Sequence, residues 1–208
     1  MKEQPEHSRI LKVGITGGIG SGKTTVCQIF EALGIPVYYA DQRAKWLMVH
    51  DPALVAGIKQ LLGGQAYLAD GSLDRAYIAR RVFNDAELLQ QLNLLVHPAV
   101  AKDGERWHCA QKGVPYTLKE AALLFESGSY QAMDKMITVF APEEMRLQRV
   151  LARDGGEPEA VRARMKNQMP EEEKMRRADF VVYNDGRRSL VQQVLEIHGK
   201  VKNVKCKM

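Results

Sequence analysis

Leu11, Val13 and Ile15 alternate with Lys12 and Gly14, and this two-residue period predicts a strand. Beyond a glycine-rich run, Val26, Ile29, Phe30 and Leu33 recur at three and four residues, as one face of a helix does, and Gly34 supplies its stop. Ile35 to Ala40 predicts a short second strand that delivers Asp41 at its carboxyl end. From Asp41 to about Gly113 the period is helical, through Leu47 and Met48, then Val55, Ile58 and Leu62, then Leu88, Leu92, Leu95 and Val96, with breaks at Gly63-Gly64 and Asp70-Gly71. That is more helix than one crossover needs, so a helical insertion is expected between the second and third strands. Val114–Glu120, Met136–Phe140 and Asp179–Tyr183 predict strands three to five, and Leu190 to Ile197 a closing helix. Ahead of the fifth strand, Ala141-Pro142-Glu143-Glu144 starts a helix carrying Arg146, Arg149 and Arg153. Gly155, Gly156 and Pro158 break it before a second basic helix with Arg162, Arg164 and Lys166, an arrangement expected of a lid.

The glycine-rich run reads Gly17-Gly18-Ile19-Gly20-Ser21-Gly22-Lys23-Thr24, the phosphate-binding pattern G-x-x-x-x-G-K-[ST]. A backbone that curls around phosphate oxygens must take up positive φ, which glycine does at little steric cost. Lys23 is expected to bring its charge to the β- and γ-phosphates, and the helix dipole adds a fixed partial charge. Thr24 is expected to place its hydroxyl on Mg²⁺. Strand, loop and helix is the context that confirms the motif, so ATP and Mg²⁺ are the expected co-substrate and metal. Gly18 to Thr25 are the expected nucleotide-binding residues, with Arg149 and Arg153 closing over the phosphates from the lid, and Arg164 after them.

With 208 residues, 45% apolar and 26% charged, the chain can bury one full core. No apolar run approaches a membrane span, and Met1 to Arg9 lack a signal-peptide core, so a cytoplasmic location is expected. Cys27, Cys109 and Cys206 are odd in number and far apart, which suggests neither a disulfide framework nor a zinc site. The net charge of +5 is shared between a basic tail over residues 200–208, with Lys200, Lys202, Lys205 and Lys207, and the arginine-rich segment beside the phosphate loop. No nucleic-acid motif, membrane segment or obligate protein partner is evident.

The chain resembles the dephospho-coenzyme A kinases from Val13 to about Leu195. The resemblance rests on the loop, on Ala40-Asp41, Val82-Phe83, Leu92-Asn93, His97-Pro98 and Leu123-Leu124-Phe125-Glu126, and on Gln148–Asp154, Gln168-Met169, Ala178-Asp179-Phe180 and Asn184. It implies an α/β fold of the phosphate-loop NTPase type, a three-layer sandwich with a five-stranded parallel sheet, a helical substrate-binding insertion over 41–113 and a lid over 145–177, within one domain over 9–200. It also implies ATP-dependent phosphorylation of the ribose 3′-hydroxyl of dephospho-coenzyme A. Where the family carries aspartate and proline before Leu123, this chain has Glu120 and Ala122, so the reach of that carboxylate differs.

Each candidate has a structural rival. Asp41 suits a general base by position, yet aspartate also caps helices, here one expected from Gln42; the resemblance carries the family's functional aspartate onto it. His97 either contacts the acceptor, as the resemblance implies, or simply ends its helix before Pro98. Arg149 reads as a phosphate ligand against a solvated helix face, and Arg75 and Arg81 stay unassigned. Asn184-Asp185-Gly186 has the composition of a turn, which is preferred to a metal-binding Asp185. No [N/T]-K-x-D guanine-reading motif occurs, so the alternatives are a related nucleoside or nucleotide kinase and, behind it, a non-enzymatic nucleotide-binding regulator.

Overall fold

The computed structural model describes residues 9–83 and 85–204. The chain runs β1 (Leu11–Thr16), α1 (Lys23–Ala32), β2 (Val37–Tyr39), α2 (Ala40–His50), α3 (Pro52–Leu62), α4 (Arg75–Phe83), α5 (Ala86–Cys109), β3 (Tyr116–Glu120), β4 (Lys135–Phe140), α6 (Glu143–Asp154), α7 (Pro158–Lys166), α8 (Glu171–Arg177), β5 (Phe180–Tyr183) and α9 (Leu190–Lys202). The five strands form one all-parallel sheet in the order β2-β3-β1-β4-β5.

Parallel strands covered on both faces become apolar throughout, and β4 shows it: Met136, Ile137, Thr138 and Val139 are all buried. Register sorts the side chains into two faces. Val13 pairs with Leu118, and Ile15 with Ile137, on the face that meets α1 and α9. There the Phe30 ring stands edge-on to Tyr116 at 6.3 Å. On the opposite face Gly14 pairs with Met136, which packs with Leu124 and Phe125 beneath Met133, Met169 and Ala178. The Thr138 hydroxyl donates to the Lys174 carbonyl there, so α8 belongs to this layer.

Residues Tyr39–Ala110 form a compact unit of their own. Its core is Leu47, Leu54, Ile58, Leu62, Leu92, Val96 and Val100, most of them positions of the helical period. Asp51 caps α3 by accepting from Leu54 N–H at 3.0 Å, and Asp85 caps α5 by accepting from Leu88 N–H at 2.8 Å. Arg43 grips the buried Asp103 with two bonds of 2.9 Å.

Several expectations are corrected. The helix does not end at His97, because α5 continues through Pro98 to Cys109. Its neighbours hold it: buried Val96 and Val100 flank the proline and keep the turn packed despite the lost N–H. β2, β3 and β5 begin one or two residues later than the pattern suggests. The closing helix extends to Lys202, taking in Lys200 and Lys202 of the basic tail, because Val201 is buried one turn beyond Ile197. Lys205, Cys206, Lys207 and the first eight residues lie outside the described residues.

The phenol of Tyr116 and Nδ1 of His198 on α9 lie 2.8 Å apart. Burial first, and then the charge of Lys202, hold the imidazole below its ordinary value of 6.5. A histidine that binds its proton less readily when folded supports the fold fully above its unfolded pKa and loses that support as the pH falls. Unfolding free energy from urea titrations is therefore expected to decline between about pH 7 and 5, and His198→Gln is expected to flatten part of that slope.

Candidate active site: a braced phosphate loop

Between β1 and α1 the backbone turns on glycines in the left-handed region, Gly20 at φ 80° and Gly22 at φ 93°. Gly22 is the N-cap of α1, and Lys23 is the first residue of the helix. Ser21 N–H donates to the Gly18 carbonyl at 3.1 Å, which closes the curl. The Lys23 ammonium donates to the carbonyls of Gly17 at 2.9 Å and Gly18 at 3.3 Å, holding its charge at the start of the loop.

Side chains from later segments brace this loop. Asn184, just past β5, donates its Nδ2–H to the Ser21 carbonyl at 2.8 Å. Arg149 on α6 donates to the carbonyls of Gly20 at 3.4 Å and Ser21 at 3.5 Å. It also donates to Asn184, at the carbonyl and at Oδ1, both 3.3 Å away. On the amide side Gln168 Oε1 accepts from Ile19 N–H at 2.9 Å, and Glu171 accepts from Gly18 N–H at 3.4 Å. Ile19 packs its side chain on the α6–α7 cluster of Leu147, Val150, Val161 and Met165.

Of the residues expected from sequence, the structure thus brings together Gly18 to Lys23 and Arg149. Thr24 and Thr25 are exposed in the first turn of α1. Among the described residues no group of three or more His, Cys, Asp or Glu could hold a metal ion. Thr24, exposed in the first turn of α1, carries a hydroxyl of the kind an ion such as Mg²⁺ takes beside substrate phosphates. Arg153 is turned elsewhere, with two bonds of 2.7 and 2.8 Å to Asp154, and Arg164 lies 4.0 Å from the same carboxylate.

In the helical unit, Asp41 is the second residue of α2 and exposed. The helix starts at Ala40 with Tyr39 as N-cap, so Asp41 is not the capping residue; it stands in the first turn, where a carboxylate favours the helix dipole. Exposed His97 lines a groove of about 380 Å³ on α5 with Asn93, Leu94 and Pro98. Arg75 and Arg81 are exposed on α4. Glu120 is buried at the end of β3. Burial, with the charges of Glu120 and Glu31 behind it, pushes the Cys27 thiol far above its ordinary range, which makes it an inert core residue. Asp185 accepts from Arg187 and Arg188 N–H at 2.9 and 3.2 Å, as a turn residue does.

Glu171 and the roles of Arg146, Gln168 and Asn184 went unread in the sequence, where Arg146 is one of the arginines of the basic helix. Gln168 and Asn184 carry the family resemblance without a stated role, and Glu171 sits in an acid run that reads as a helix start.

An all-parallel sheet with a phosphate loop after its central strand is the phosphate-loop NTPase architecture. Shikimate kinase from Bacteroides thetaiotaomicron shares the fold, with a TM-score of 0.54 at 11% identity. The family model for dephospho-CoA kinase matches residues 11–189. The chain is 43% identical over 196 residues to the dephospho-CoA kinase of Chlorobaculum tepidum, covering 89% of this chain and 94% of that one. It is 45% identical over 176 residues to that of Salinibacter ruber, covering 84% and 88%. Among solved structures, a Thermus thermophilus protein matches with a TM-score of 0.81 at 36% identity over 91% of this chain and 96% of that one. The dephospho-CoA kinase of Campylobacter jejuni matches with a TM-score of 0.67 at 28% identity over 92% and 96%. The chain belongs to the dephospho-CoA kinase family.

At Gly22 a Cβ would collide with the Asn184 amide, besides straining the left-handed backbone. Gly22→Ala is expected to keep the fold and lower kcat/KM for ATP by about tenfold or more, since strain of this kind costs ~1–3 kcal/mol. Steady-state kinetics beside a thermal melt check it.

Proposed function

We propose that this protein transfers the γ-phosphoryl group of ATP to the ribose 3′-hydroxyl of dephospho-coenzyme A, giving coenzyme A and ADP, the last step of coenzyme A synthesis. The observation that carries the reading is the family match over residues 11–189 on a chain whose loop backbone curls on left-handed glycines at Gly20 and Gly22.

In this reading the loop amides and the Lys23 ammonium bind the β- and γ-phosphates. Thr24 would hold Mg²⁺, and the ion would offset the negative charge of the phosphates. Arg149 is close enough to the loop carbonyls to turn its guanidinium onto phosphate oxygens, and Arg153 leaves Asp154 to join it as the lid closes. Asp41 directly follows β2 in the chain, and open α/β sheets take their ligands beyond the carboxyl ends of their strands. It accepts the proton of the 3′-hydroxyl as that oxygen bonds to phosphorus and the bond to ADP breaks, and His97 orients the acceptor. The reaction is expected to be cytoplasmic. ADP release measured with dephospho-coenzyme A, with nucleosides and with nucleotides tests the assignment: turnover confined to the last two classes overturns it.

Three substitutions check the roles. Lys23→Ala is expected to leave the melting temperature nearly unchanged while phosphoryl transfer almost vanishes; near-normal turnover contradicts the assignment. Arg149→Ala is expected to lower kcat or raise the KM for ATP, whereas a solvated arginine would change neither. Asp41→Asn keeps the size of the side chain but cannot take a proton at neutral pH, so a kcat loss of about 10² to 10⁴ is expected with an unchanged melt. Parent-like kcat would send the search for the base elsewhere.

A further inference from the structure

Beside the loop lies a chain of charges that the reaction as described does not use. Lys174, on α8, is completely buried. Its ammonium lies 3.4 Å from Glu171 Oε1 and 3.4 Å from Glu126 Oε1, the latter on the segment after β3. Glu126 Oε1 also accepts from Met169 N–H at 2.8 Å, fixing the connection between α7 and α8. Glu171, with 11% of its side chain exposed, faces Arg146 of α6 across 3.9 Å. Arg146 is itself buried, and its Nε has no hydrogen-bond partner.

Lys174 and Arg146 are out of water and Glu171 nearly so, with Glu126 reaching Lys174 from the surface; buried charges of this kind are costly and rarely return their desolvation as stability. Their placement shows what they hold. The second oxygen of Glu171 accepts from Gly18 N–H, and Gln168, three residues earlier, accepts from Ile19 N–H. A Cβ on Gly18 would collide with Arg146 Nη1 and come within 2.7 Å of Glu171 Oε1, so the pair is seated directly against the loop. The amides of Gly18 and Ile19 are thereby engaged by the α7–α8 connection.

We propose that Glu171 and Gln168 are positioning residues for phosphoryl transfer. They act through the Gly18 and Ile19 amides, with Lys174 and Arg146 fixing the Glu171 carboxylate, and they tie the first half of the phosphate loop to the segment that follows the lid helix α7. The loop is then held in its phosphate-binding curve before ATP arrives, and displacement of α7 is felt at the loop. The proposal rests on the reading of the chain as an ATP-dependent kinase.

The test compares Glu171→Ala, Glu171→Gln and Gln168→Ala with the parent. Magnesium and a non-hydrolysable ATP analogue are titrated by calorimetry, and the KM for dephospho-coenzyme A and the melting temperature are measured alongside. Loss of a hydrogen bond to a charged group predicts analogue binding weakened roughly tenfold in Glu171→Ala, and a smaller loss of about threefold in Gln168→Ala. The acceptor KM is expected within about twofold of the parent throughout, given that the two residues act on the ATP side alone. Glu171→Gln keeps an acceptor oxygen for Gly18 N–H and is expected to bind the analogue closer to the parent than to Glu171→Ala. Should Glu171→Ala melt too early to assay, Gln168→Ala decides, since that half-exposed residue lies in a connection rather than in a core cluster. Parent-like analogue binding in Gln168→Ala overturns the proposal. So do equal losses for ATP and acceptor, which mean general loosening, and a Glu171→Gln no better than Glu171→Ala. A parent that binds the analogue but does not phosphorylate dephospho-coenzyme A overturns only the assigned reaction.

Discussion

A loop that offers amides to phosphate has few hydrogen bonds of its own with which to hold its shape; beyond the Ser21 N–H to Gly18 carbonyl bond, it depends on groups from elsewhere. Everything around Gly17–Lys23 follows from that constraint. The Ser21 carbonyl is taken by Asn184 and Arg149, the Gly20 carbonyl by Arg149, and the Gly18 and Ile19 amides by Glu171 and Gln168. These partners lie more than a hundred residues away in sequence, and the sheet order makes them neighbours. With β4 beside β1 and β5 beside β4, the chain leaving β5 delivers Asn184 next to the loop, its own amide donating to the Phe140 carbonyl at the end of β4 at 2.7 Å. The all-parallel arrangement matters because it turns every strand's carboxyl end to the same edge.

Charge placement in the molecule divides along the same line. Arg162 pairs with Glu143 and Glu144, and Arg176 and Arg177 with Glu173, on exposed surface where such pairs contribute little. The Lys174–Glu171–Arg146 set is buried or nearly so and borders the loop, with Glu126 reaching Lys174 from the surface. A buried ion pair is poor evidence of stability, so its persistence beside the phosphate site points to what it orients. Asp179, which contributes to the family resemblance, has a structural task instead: it accepts from Met136 N–H at 2.8 Å and pairs with Lys135 at 2.6 Å, locking the starts of β4 and β5 together.

Much of this was legible along the chain. The two-residue and three-to-four-residue periods located all five strands and most helices because burial on one or both faces leaves an imprint in consecutive positions. The phosphate loop was legible because its demands are local: positive φ at Gly20 and Gly22, and a lysine at the helix start. Strand ends and the course of α5 through Pro98 were harder. A proline's local preference against helix was outweighed by apolar packing on either side of it, and packing partners do not appear in the sequence next to the residue they hold.

The sequence by itself therefore determined the order of strands and helices and the phosphate-binding turn, since these depend on residue types at short spacings, and its ordered motifs carry the resemblance that implies the parallel fold and the family. Only the tertiary structure decided what holds that turn open. Asn184 in a turn, Gln168 in a connection and Lys174 in a run of charged helix residues look like solvated positions when read in order. They become braces and buried charges because strand order and helix packing bring them to the loop, and hydrogen bonds and desolvation depend on distance in space rather than separation along the chain.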